Sequence, residues 1–198
     1  MEKLALAITD YYIRKNIIDA AKRNIYIYGF KLIISDIVNF IVIILLGLLV
    51  NCELESVVFL ITLCGLRVFT GGFHAKTFFV CRLSMMITFI LVMATSNLLI
   101  KSGVNYIYIG LLNIISIIIV ALLAPVQNPN KKLEVKQMKT NHKRSVIASL
   151  FLSVLSVILV YCKINMGVII SITTAAVAIL MVVGLIVMKA DEPDLFED

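Results

Sequence analysis

A chain of 198 residues in which 61% are hydrophobic and only 15% charged, with a mean hydropathy of +1.05, carries too few polar side chains to clothe a water-soluble domain of its size. It reads as an integral membrane protein, and its long aliphatic runs, lacking period-two alternation, exclude a β-barrel in favour of helices. The net charge of +6 sits beside the apolar runs, so it points to anionic lipid at the inner leaflet and to membrane orientation, not to nucleic acid.

In chain order, residues 1–28 interleave Leu4, Ile8, Tyr11, Tyr12 and Ile18 with Lys3, Asp10, Arg14, Lys15, Asp19, Lys22 and Arg23. That spacing predicts an amphipathic helix lying at the inner interface. No apolar core with a small-residue cleavage site opens the chain, so a cleaved signal peptide is not expected. Six spans follow, at about 30–50, 56–69, 79–100, 106–123, 146–161 and 166–188. The second falls short of the roughly 17 to 25 residues that a crossing needs, so it must borrow length from its flanks, thin the bilayer locally, or end in a buried polar pocket. A Gly-Gly break or re-entrant turn is expected between spans two and three, at Gly71-Gly72. After the fourth span, Ala124-Pro125-Val126-Gln127-Asn128-Pro129-Asn130 breaks the helix, and a basic loop carries Lys131, Lys132, Lys136, Lys139, Lys143 and Arg144. His142 reads as a solvated residue of that loop. The expectation is an all-α protein with one membrane domain over 1–198, made of the interfacial helix, a six-span core over 30–188 and an acidic cytoplasmic tail over 189–198.

With both termini in the cytoplasm, every Lys and Arg of the 18 falls inside except Lys101 and Lys163. The positive-inside rule favours that orientation and sets the 67–84 stretch at the cytoplasmic face. This stretch gathers Arg67, Gly71, Gly72, His74, Lys76, Cys81, Arg82 and Ser84 within an otherwise aliphatic chain. A cysteine attacks as its thiolate, and a nearby imidazole can accept the thiol proton and return it to a leaving amine. His74 and Cys81 lie seven positions apart. On one straight helix they would share a face but stand about 10.5 Å apart along the axis, too far for proton transfer. The glycine pair offers the backbone freedom to close that gap. The other cysteines, Cys52, Cys64 and Cys162, form no CxxC pair or zinc cluster, so neither a metal nor another cofactor is expected.

Taken together, Arg67, Gly71-Gly72, His74-Ala75, Cys81 and Ser84 make an R-x3-GG-x-HA-x5-C-x2-S pattern. It resembles the signature of the accessory gene regulator B (AgrB) family of bacterial membrane cysteine peptidases. Tyr28-Gly29 before the first span and the A-P-V-x-N-P-N-K segment from Ala124 to Lys131 extend the likeness. The segment's continuation as PNKKL is a modest departure that bears on precursor specificity.

The resemblance implies Cys81 as nucleophile and His74 as its base, with Arg67, Gly71, Gly72 and Ser84 as supporting motif positions. It also implies cleavage on the C-terminal side of an AgrD-type precursor peptide through a Cys81 thioester, which a thiol or hydroxyl of the bound peptide then captures to close a thiolactone or lactone ring. Family members are understood to act as homodimers in the bacterial cytoplasmic membrane. Arg67 could stabilise the oxyanion, favour the thiolate or bind a substrate carboxylate. Lys131 and Lys132 could attract the acidic end of a precursor, although membrane orientation also accounts for them. The rival reading is a small transporter or channel for an ion or peptide, with Arg67, Asp36 and His74 lining its path.

Overall fold

Lipid leaves a backbone few choices: each N–H and C=O that enters hydrocarbon must find its partner within the segment, and a helix does this without help. The computed structural model, which describes residues 2–71, 78–126 and 135–191, is accordingly helical. Among these residues there are seven α-helices: α1 (Glu2–Arg14), α2 (Arg23–Leu49), α3 (Glu53–Thr70), α4 (Phe78–Lys101), α5 (Tyr106–Leu123), α6 (Val135–Tyr161) and α7 (Met166–Asp191). The chain divides into two compact units, Met1–Val50 and Asn51–Asp198.

In the first unit the interfacial helix is shorter than expected. It stops at Arg14, because Asn16 takes a φ of +55° and turns the chain. Asp19 then accepts a hydrogen bond from the Ala21 amide and caps a single 3₁₀ turn at Ala20–Lys22. Residues 23–28, assigned to the interfacial helix from sequence, already belong to α2. The two helices run antiparallel, since Glu2 meets Lys31 while Asp10 meets Arg23 at 2.9 Å. Tyr12 stacks on Phe30 with ring centroids 5.9 Å apart. Lys31 draws the Glu2 carboxyl below its usual range, first through their hydrogen bond and then through its charge.

The second unit is built around α7, which packs against α3, α4, α5 and α6. Its span is 56% buried, against 22–28% for the other apolar spans, so lipid-facing surface is left to its neighbours. Against it α6 is patterned in the reverse of a soluble helix. Ser145, Ser149, Ser153 and Ser156 are buried, whereas Ile147, Leu150, Phe151, Val154 and Ile158 face outward. Apolar packing gains little when the solvent is also hydrocarbon, so small residues that let backbones approach take the inner face. Gly167 marks one such approach: a Cβ there would lie 2.5 Å from the Ser156 carbonyl oxygen. Asn113 of α5 joins the three helices, donating to Ser156 Oγ at 3.2 Å and accepting from Ser171 Oγ at 2.8 Å.

Among the described residues, five helices are long and apolar enough to cross a membrane, over Ala20–Leu49, Phe79–Lys101, Tyr106–Leu123, Val135–Tyr161 and Met166–Val187. The chain is thus a multi-pass membrane protein. The helix over the expected second span, α3, is not among the five, and its 18 residues include Glu53 and Glu55 in the first turn and Arg67 in the last. The expected fifth span gains a long extension. What reads as a basic loop up to Arg144 is helical from Val135 onward, so Lys136, Lys139, Lys143 and Arg144 ride on α6.

Candidate functional site

The described candidate residues lie in the last turn of α3 and just beyond it, and at the start of α4. Arg67 lies in the last turn of α3, partly buried, and its carbonyl accepts the Gly71 amide at 3.1 Å. Gly71 stops the helix with φ +67° and ψ −142°, a region that side chains other than glycine's strongly disfavour. The last described helical residue of α3 is therefore Thr70.

Gly71 is also pinned from outside its own helix. The Val126 amide donates to the Thr70 carbonyl at 2.9 Å, and Gly71 pairs with Val126 in an isolated parallel bridge. A Cβ on Gly71 would lie 2.3 Å from the Val126 carbonyl oxygen, so only glycine fits beneath that strand of backbone. The Ala124–Val126 segment that reaches it has Ala124 and Val126 buried and a cis peptide between Ala124 and Pro125.

Cys81 sits in the opening turn of α4, partly buried. That is the end of a helix whose amides lack internal partners and whose dipole favours negative charge. Ser84 lies one turn further on, on the same side, and its carbonyl accepts from Thr88 Oγ1 at 2.8 Å. Deeper in the bundle, α3 and α4 meet edge-to-face through Phe59 and Phe89, with centroids 5.3 Å apart. Of the predicted site residues, Arg67, Gly71, Cys81 and Ser84 are described, and Gly71 is brought against the Ala124–Val126 segment. Gly72, His74, Lys131, Lys132 and the re-entrant turn lie outside the described residues.

Two residues that sequence reasoning passed over belong to this region. His142, expected to be merely solvated, places Nδ1 2.8 Å from the Ala124 carbonyl oxygen. Arg144 lies over the Phe69 ring, with Cζ 5.9 Å from its centroid, a cation–π contact that ties α6 to the end of α3. Nothing local to His142 announces this contact, because its partner is 18 positions away in the sequence. The four cysteines form no disulfide. Away from the site, Cys52 at the start of α3 has its thiol pushed above the usual range, by burial first and then by Glu55 and Glu53.

The sequence matches the family model described as Accessory gene regulator B over residues 5–186. It is 32% identical over 155 residues to a protein named AgrB-like protein 2 from Clostridium perfringens (strain 13 / Type A), covering 72% of this chain and 71% of that one. It is 31% identical over 157 residues to a protein named AgrB-like from Clostridium perfringens (strain SM101 / Type A), covering 75% and 72% respectively. No solved structure gives a significant match.

Proposed function

The chain belongs to the accessory gene regulator B family, whose part is in the processing of quorum-sensing peptides, and on that premise we propose that it is a cysteine endopeptidase acting on an AgrD-type precursor. The observation that carries the reading is the Arg67, Gly71-Gly72, His74, Cys81 and Ser84 pattern within a chain that matches the family almost end to end. It is supported by the location of Cys81 in the first turn of α4 and by the interruption of the helix at Gly71.

In this mechanism His74 takes the Cys81 thiol proton, and the thiolate attacks the scissile carbonyl carbon. The tetrahedral oxyanion collapses with cleavage of the C–N bond. The proton on His74 passes to the departing amine, leaving the N-terminal part of the peptide as a thioester on Cys81. A thiol or hydroxyl within that peptide then attacks the thioester and gives its proton to the now neutral His74, from which it returns to the Cys81 sulfur. The Cys81 sulfur departs, and a thiolactone or lactone ring closes. Exclusion of water keeps the acyl group for this transfer instead of hydrolysis.

Around this chemistry, α3 makes the second of six crossings, with Glu53, Glu55 and Arg67 at the headgroup levels. Both termini and the site face the cytoplasm, Lys131 and Lys132 receive the acidic end of the precursor, and two copies work together on an anionic inner leaflet. Co-expression with a precursor tests the reading. Cys81→Ala and His74→Ala each abolish cleavage while membrane insertion stays normal. A transporter would instead tolerate Cys81→Ala, and cleavage surviving that substitution would overturn the assignment.

A further inference from the structure

The backbone amides of the segment after α5 are committed. The Ala124 amide returns to the Val120 carbonyl at 2.9 Å, Pro125 has no N–H, and the Val126 amide goes to Thr70. The Ala124 carbonyl meets the ring of His142. A carbonyl oxygen can only accept, so Nδ1 must carry the hydrogen of this bond, which leaves the Nε2 lone pair to solvent when the ring is neutral.

The same stretch of α6 also grips α3. Arg144, two positions beyond His142 and so turned to the other side of the helix, covers Phe69, one residue before the pinned Thr70. The end of α6 is thus flanked by the exit of α5 and the last turn of α3, and Val126 closes the circuit by reaching Thr70 and Gly71. The fit at Gly71 has no slack, with Val126 backbone where a Cβ would be.

We infer that His142, through its Nδ1 bond to the Ala124 carbonyl, is a positioning residue that seats the Ala124–Val126 segment on Gly71 and so fixes the point from which the Gly-Gly-x-His stretch leaves α3. The inference rests on the peptidase reading for its functional half. It assigns His142 no proton transfer: the imidazole holds backbone, and a side chain presenting the same donor can replace it. Asparagine is that side chain, because its Nδ2 lies where Nδ1 of histidine does.

The test uses the full chain in lipid nanodiscs with a synthetic precursor, and has two readouts. One is hydrogen exchange of the peptide containing Val126, whose amide is protected by the bond to Thr70. The other is cleavage, resolved into kcat and KM. One hydrogen bond corresponds to about a fivefold to tenfold change in an equilibrium. His142→Ala is therefore expected to speed Val126 exchange and lower kcat by about that factor with KM little changed. His142→Asn restores both to within about twofold, and Lys143→Gln, a neighbour on the exposed side of α6, changes neither. Unchanged Val126 exchange in His142→Ala overturns the seat. Faster exchange with undiminished kcat overturns its role in positioning, as does failure of asparagine to restore either. Cys81→Ala separates this from the enzymatic assignment: it abolishes cleavage and leaves Val126 exchange as it was. Were cleavage to survive Cys81→Ala, the peptidase reading and the positioning role would fall, and exchange alone would decide whether the seat exists.

Discussion

Replacing Gly71 with alanine probes the tightest point of the site. At φ +67° and ψ −142° an L side chain costs about 1–3 kcal/mol in backbone strain alone. The new methyl would also stand 2.3 Å from the Val126 carbonyl oxygen, which is main chain and cannot swing aside. The segment must lift, and loss of the Val126 to Thr70 hydrogen bond costs about 1 kcal/mol more. Together the loss is about 2–4 kcal/mol, which for a chain of this size lowers the melting midpoint by roughly 5–12 °C. Gly65→Ala is the internal control, because it lies in the same helix with nothing within 4 Å of its added Cβ. There alanine should be neutral or raise stability by about 0.5–1 kcal/mol. The assay heats both variants in detergent and measures the monodisperse fraction by size-exclusion chromatography. If Gly71→Ala melts within about 1 °C of Gly65→Ala, the interlock between Gly71 and Val126 is refuted.

Three further outcomes are expected. Asn113→Leu removes the bonds to Ser156 and Ser171 and should destabilise the bundle by about 1–2 kcal/mol, read from the same melting assay, with Asn113→Gln intermediate. Because Lys31 holds the Glu2 carboxyl below its ordinary value of 4.5, the folded chain keeps a charge that the unfolded chain would neutralise. That contribution is present above about pH 4.5 and is lost as pH falls through the lowered value, so the anisotropy of a probe on α1 should fall there, and Glu2→Gln should remove the transition. The Cys52 thiol, held protonated by burial and by Glu55 and Glu53, should react with iodoacetamide at pH 8 several-fold more slowly than the exposed Cys162, as followed by mass spectrometry. Glu55→Gln should narrow that difference.

Where a boundary depended on chemistry close in sequence, it was legible. The fourth span matches α5 residue for residue, since Asn105 caps its start by accepting from Ile107 and Pro125 lies just beyond its end. The family was legible too, because its motif is a matter of residue types at fixed offsets. What escaped were features made by distant partners or by hydrocarbon as solvent. The 135–144 stretch looked like a loop because its charges were read as composition, although Lys136, Lys139 and Lys143 recur at helical spacing. The serines of α6 would face water in a soluble helix, and only the membrane context turns them inward. The kink at Asn16 required a left-handed residue that asparagine permits but does not dictate. The contact of His142 with Ala124 joins positions 18 apart in the sequence, and no window of neighbouring residues contains it.

The length of α6 has a mechanical implication. Its 27 residues extend about 40 Å, whereas the oily layer is about 30 Å deep, so nearly two turns at the charged end stand clear of it as a stiff post. A post continuous with a buried serine seam behaves as a ruler and a compass at once: it sets how far His142 and Arg144 rise above the lipid, and the compass bearing at which they point. One residue inserted between Arg144 and Ser145 would swing that bearing by about 100° while leaving composition, charge and both ends of the helix intact.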